Sequence, residues 1–171
     1  MAKSDAFFIR AKVDTNGTNY NQVSIDLGAY VDALGKSVLR IHNIETAYGA
    51  PLEVITGAPN TGSQCAFQLT TQSQSALVDI TNKSVIASGH LYISTNGTHA
   101  DFLEDTLDVG PHSWSKGYLV GVEQIYLGVD QTFTSLDEIS IMLECTVETL
   151  SQSAAMALAL SQQSGGLIGL Q

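Results

Sequence analysis

Apolar and polar residues alternate with a period of two through much of this chain, the pattern of a β-strand with one dry face and one wet one. The first run sets Phe7, Ile9, Ala11 and Val13 against Phe8, Arg10 and Lys12. Asn16-Gly17 follows, a dipeptide suited to a tight turn because both residues tolerate positive φ. Residues 22–27 alternate again, and 28–36 (GAYVDALGK) read better as a short helical turn ending at Gly35. Over 38–48 the alternation returns imperfectly. Val38, Arg40, His42 and Ile44 fall on one side and Leu39, Ile41 and Asn43 on the other, so both faces are expected to be partly covered. Pro51 and Pro59-Asn60-Thr61-Gly62 bracket a loop. Further strands are predicted over 65–71, 76–80 and 85–94, the last ending in Asn96-Gly97, with an irregular acidic stretch over 98–117. The longest strands are predicted over 118–129 and 138–150. In the second, Ile139, Ile141, Leu143, Cys145 and Val147 share one face, the cleanest half-buried pattern in the chain.

Eight or nine short strands divided by Gly, Asn and Pro signals, without βαβ alternation, predict an all-β, antiparallel sandwich or barrel. At Ser151 the texture changes. SQSAAMALALSQQ has no β-branched residue and high helix propensity, which predicts a short C-terminal helix stopped by Gly165-Gly166. The expected organisation is a body over 1–150 and a helical segment with a flexible apolar tail over 151–171, with no internal repeat.

Composition sharpens this picture. The 171 residues carry only 14% charged side chains against 44% hydrophobic ones, which excludes intrinsic disorder. Ser, Thr, Asn and Gln supply 50 residues in their place. An uncharged polar surface is cheap to desolvate, whereas free monomers usually keep more charge to stay apart. The formal charge is −10, and after residue 50 two bases face twelve acids. The seven bases are scattered, so the Lys/Arg cluster that neutralises phosphates is missing and direct nucleic-acid binding is not expected. The start MAKSDAFFIR has no apolar core of roughly 7–15 residues, so no secretory signal is read there. The longest apolar run, Ala154 to Leu160, has seven residues, far below the ~20 of a membrane helix. The N-x-S/T triplets at Asn16, Asn82 and Asn96 are ordinary for a chain this rich in Ser and Thr.

Candidate chemistry is sparse. Cys65 and Cys145 fit neither a zinc spacing nor a CxxC motif; buried free thiols are the expectation, with one disulfide as the alternative. No G-x-S-x-G elbow, P-loop or G-x-G-x-x-G appears, and His42 and His90 read as hydrogen-bonded strand histidines. No catalytic, cofactor-binding or metal residue is assigned. One constellation stands out: His99, Asp101, Glu104, Asp105, Asp108 and His112. Carboxylates on a loop suit a hard cation, but the EF-hand spacing is missing, and a solvated acidic face or a contact with a basic patch of a neighbouring copy are the competing readings. Trp114, in the PHSW loop, is the single candidate for a carbohydrate platform.

The segments LGAYVDALGKSVLRIHNIETAY, YLVGVEQIYLGVD and SIMLECTVETLSQSAAMALALSQQ, in that order in a chain of this size, resemble single jelly-roll capsid proteins of small tailless icosahedral viruses, above all the compact coat proteins of environmental and archaeal-type viruses. The likeness spans about residues 20–163 and rests on strand order, size and texture. It implies a jelly roll of about eight strands in two four-stranded antiparallel sheets, and a shell of identical or near-identical subunits that a second coat protein can share. Many coat proteins of single-stranded genomes begin with an Arg/Lys-rich arm, and MAKSDAFF departs from that. The expectation is therefore a non-catalytic, self-assembling capsid protein located in the virion, without a basic genome-binding arm. The alternative is a β-sandwich appendage or ligand-binding module, such as a phage tail or fibre component or a secreted binding domain.

Overall fold

The computed structural model describes residues 3–32, 34, 36–53, 60–96, 100–133 and 136–163. Two antiparallel sheets are built from them. One has four strands in the order β1 (Phe7–Asp14), β9 (Glu138–Thr149), β3 (Ser37–Tyr48) and β7 (Tyr118–Val120); the other has five, in the order β2 (Asn21–Asp26), β8 (Gln124–Gln131), β4 (Gly62–Thr70), β5 (Val85–Thr95) and β6 (Ala100–Val109). One helix, α1 (Gln152–Gln162), follows.

Setting β6 aside, every chain step from one strand to the next crosses between the sheets except β4 to β5. Two interleaved four-stranded sheets wound in this way make a jelly roll. The inner faces meet in one core. Val13, Leu39, Ile41, Ile139, Ile141 and Leu143 come from the four-stranded sheet, and Ile25, Phe67, Leu69, Leu127 and Val129 from the other. Burial of such side chains, each stabilising by about 1.5–3 kcal/mol, is what holds the two layers together. β1 also packs beside β2 at one lateral edge.

The strand at 7–13, the turn at Asn16-Gly17, the strands near 22–27 and 85–94, β9 and the helix all fall where the sequence places them. Gly17 has φ +58°, and Asn19 N–H bonds to the Asn16 carbonyl at 3.0 Å. At 28–36 one helical turn forms, with Val31 N–H on the Leu27 carbonyl at 2.9 Å; its expected end at Gly35 lies outside the described residues, as do the loop residues 54–59 and Gly97.

The flawed alternation of β3 has a local cause. The register with β9 shifts between Ile41 and Asn43, so His42 is an extra, bulged residue. A bulge inserts one residue into one strand and swaps the faces beyond it, which brings both Ile41 and Ile44 into the core.

Three expectations need correction. Residues 118–129 are not one strand but two, β7 and β8, in different sheets. The chain crosses over at Gly121, where a Cβ would stand 2.9 Å from the Leu158 side chain, so only glycine lets α1 come this close. Residues 76–80 form no strand. The Gln68 side chain takes up their backbone instead, donating to the Ala76 carbonyl at 3.0 Å and accepting from Val78 N–H at 2.8 Å. Finally, the acidic stretch 98–117 is not irregular: it contains the ten-residue strand β6.

Ser151 caps α1, its hydroxyl accepting from Ala154 N–H at 3.2 Å. At the other end Gln162 is buried. Its side-chain oxygen accepts from Gly121 N–H at 2.7 Å and its amide donates to the Leu119 carbonyl at 2.8 Å. The helix is thus stitched to the crossover between the sheets. No described helix is long and apolar enough to cross a membrane.

Candidate functional site

β6 is the fifth strand of a sheet whose partner has four, and no strand pairs with its outer edge among the described residues. Over Phe102 to Leu107 the register with β5 is regular and sends Leu103, Asp105 and Leu107 to the face of Leu91 and Ile93, and Phe102, Glu104 and Thr106 to the other, while Asp101 and Asp108 fall where the register shifts. Phe102 and Leu103 point to opposite faces, yet they are 51% and 61% exposed, so neither face is covered at that end. An exposed strand edge is a ready template for another chain.

The sequence constellation is not brought together. His99 lies outside the described residues, and His112 sits exposed in a 3-10 turn, Pro111–Ser113. Glu104 and Asp105 point to opposite faces of β6, Asp101 and Asp108 sit at the register shifts, and the residue that organises Glu104 and Asp108 is His90 of β5, directly opposite Thr106. Its Nδ1 lies 2.9 Å from Asp108 Oδ2 and its Nε2 2.9 Å from Glu104 Oε1. The Thr106 hydroxyl also donates to Asp108 at 3.1 Å. Hydrogen bonding to Asp108 raises the His90 pKa above its usual value against the opposing effect of desolvation, with help from Glu104. The imidazolium thereby cross-links β5 to β6. Among the described residues no group of three or more His, Cys, Asp or Glu side chains is arranged to hold a metal ion. The period-two order of Leu103, Leu107 and Val109 against Glu104, Thr106 and Asp108 was the signal for this strand, obscured by its charge.

A second surface feature is a groove of about 650 Å³ where β7, the 3-10 turn, the end of α1 and the approach to β5 converge. Lys83, Lys116 and Arg40 border it, while Trp114, Tyr118 and Leu158 give it an apolar lining. The Trp114 and Tyr118 rings are 5.9 Å apart at 40°. Burial raises the Tyr118 pKa, so its phenol stays protonated, and it accepts a 3.5 Å contact from Gln162. Arg40 is spoken for: Nε and Nη2 bind the Glu148 carboxylate, the latter at 3.0 Å, and Nη1 donates to the Lys116 carbonyl. That carboxylate is nearly buried, and the Arg40 hydrogen bond holds its pKa below the usual range despite desolvation. Arg40 therefore fixes the loop that carries Trp114 and Lys116. Lys83 and Lys116 are exposed and form no ion pair among the described residues.

Cys65 in β4 and Cys145 in β9 are free and buried, one in each sheet. Burial pushes both thiols up to about 12, far from the thiolate a nucleophile needs.

No protein-family model matches the chain, and no curated protein does. Solved structures similar to it include an unassembled Washington University polyomavirus VP1 pentamer (R198K mutant), 8% identical, with 84% of this chain and 93% of that one covered and a TM-score of 0.43. Another is of Desmodium yellow mottle tymovirus, 9% identical over 85% of this chain and 89% of that one, TM-score 0.34. A tailspike protein of Acinetobacter baumannii bacteriophage Fri1, a capsular polysaccharide depolymerase, is 12% identical over 84% of this chain but 20% of its own, TM-score 0.16. The strand order, and not these distant likenesses, defines the class: an all-β jelly roll with one strand appended.

Proposed function

We propose that this chain is a structural subunit of a viral shell, one that associates with copies of itself and carries out no catalysis. Jelly rolls serve capsid and lectin domains among others, so the fold narrows the choice without making it. The observation that carries the reading is the exterior. A low-charge jelly roll presents a long strand edge that is unpaired among the described residues, with Phe102 and Leu103 exposed, and α1 exposes Met156 and Leu160 at 42% and 58%. Single exposed apolar residues are ordinary; a free edge and an apolar helix face on one small domain suit burial by neighbouring copies. On this reading residues 1–150 are the shell-forming body, 151–171 extend it towards neighbours, the protein resides in the virion, and the genome is not bound through a basic arm of this chain. A second coat protein in the same shell is compatible with it.

Native mass spectrometry with negative-stain electron microscopy tests the proposal. Large closed particles are expected at micromolar to tens-of-micromolar protein. Monomers or trimers that persist there would favour the appendage or ligand-binding module, for which the Trp114–Tyr118 groove is the place to look.

A further inference from the structure

We infer that the groove bordered by Lys83 and Lys116 receives the acidic edge strand β6 of a second copy of this chain. The inference rests on the shell reading and names the two surfaces that would meet. The charge bookkeeping points first to the groove. Only two bases follow residue 50, and both border this one depression, exposed and without an ion pair among the described residues. In a molecule of formal charge −10, the two lysines of its acidic later part border one depression whose lining includes Trp114 and Tyr118.

β6 matches that depression in both respects. Asp101 and Asp105 are exposed, and their carboxylates make no ion pair or hydrogen bond among the described residues, in contrast to Glu104 and Asp108, which His90 engages. Beside them stand the exposed Phe102 and Leu103. A strand that offers free carboxylates and apolar side chains together is complementary to a groove that offers free ammonium groups and an apolar lining. Two β6 strands could not satisfy one another in this way, because edge-to-edge pairing of identical acidic strands sets like charges against like. The acids thus act selectively: they discourage β6 from pairing with itself and leave the lysine groove as the favoured acceptor. Charge complementarity of this kind sets specificity and encounter rate more than affinity, with the apolar contact supplying the latter.

Charge reversal followed by mixing tests the contact. Lys83→Glu with Lys116→Glu, and separately Asp101→Lys with Asp105→Lys, should each give folded chains that form no particles at concentrations where the native chain has fully assembled. An equimolar mixture should regain particles, since each variant's groove then opposes a strand of the opposite sign. Because Asp105 lies near Tyr48, the neutral pair Asp101→Asn with Asp105→Asn is run beside the lysine pair. It should slow assembly by tenfold or more in low salt and lose that difference above about 0.5 M salt, where surface charges are screened. Particles from the Lys83→Glu/Lys116→Glu chain with native yield and salt dependence would overturn the docking while leaving the shell reading intact. Native chain that stays monomeric would overturn both. A single-stranded oligonucleotide that binds the native chain, but not the lysine variant, with assembly unaffected would assign the groove to a polyanion and overturn the docking too.

Discussion

Replacing Arg40 by Ala should be among the most damaging single changes outside the core, and its size follows from what it leaves behind. The Glu148 side chain is 5% exposed and that of Arg40 15%. Removing one partner of a buried pair abandons the other charge in a poor solvent for it, a loss of about 3–5 kcal/mol. Lys3 and His42 still act on Glu148 electrostatically, so the lower end applies, about 3 kcal/mol. In a domain of this length that lowers Tm by roughly 6–12 °C. The pH dependence has a definite sign. Glu148 has its pKa lowered by folding, so the pair's contribution is present above the unfolded glutamate value, about 4.3, and is lost as pH falls through the lower folded value. The gap between native and Arg40→Ala protein, followed by circular dichroism melts, should be widest near pH 7 and shrink on acidification. Arg40→Met with Glu148→Leu should recover most of the loss, because the stranded charge is gone. A gap at pH 7 under ~2 °C, corresponding to less than about 1 kcal/mol, or one unchanged by acid, would refute this account.

Other perturbations probe other links. Folding raises the His90 pKa, so the β5–β6 cross-link is at full strength below the unfolded histidine value of about 6.5 and is lost as pH rises through the higher folded value. Protection of β6 amides, measured as exchange relative to the base-catalysed intrinsic rate at each pH, should fall over that rise in the native protein, and His90→Gln should flatten this fall. Phe67→Ala, which empties a site 1% exposed between the sheets, should cost about 3–5 kcal/mol in urea unfolding. Gly89→Val should disrupt the β5–β6 pairing, since a Cβ at Gly89 would stand 2.6 Å from both the Phe67 ring and the Thr106 carbonyl oxygen; a native Tm would contradict the packing. Deleting residues 151–171, of which the described part 151–163 adds no residue to the core cluster, should impair particle formation far more than it lowers Tm.

What the sequence revealed depended on whether one residue pattern had one structural solution. β9 was legible because its five inward residues and five outward ones are chemically distinct, and a single register satisfies them. β3 was legible as a strand but not in its facing, since a bulge at His42 depends on β9, a hundred residues away. The run over 118–129 is rich in β-branched, aromatic and other apolar residues with no proline to stop it, and what divides it is α1 pressing on Gly121, a tertiary event. The segment 76–80 had the apolar content of a strand, but the Gln68 side chain takes the Ala76 carbonyl and the Val78 N–H in place of a ladder partner. In β6 the charge density drew attention to loop chemistry, although the period of two was present. The His90 link could be seen only once β5 and β6 were in register. The lysine groove had no linear signature, because its parts come from β3, the loop before β5, the 3-10 turn, β7 and α1.

The two unlinked cysteines have a practical consequence. With Cys65 in one layer and Cys145 in the other, neither bonded, the domain owes none of its cohesion to an oxidising environment, and reductant should leave it intact. The same pair forms a built-in gauge of how the layers part. A pulse of alkylating reagent that modifies both at one rate reports whole-domain opening, whereas faster capture of one thiol reports that its layer frays while the other holds.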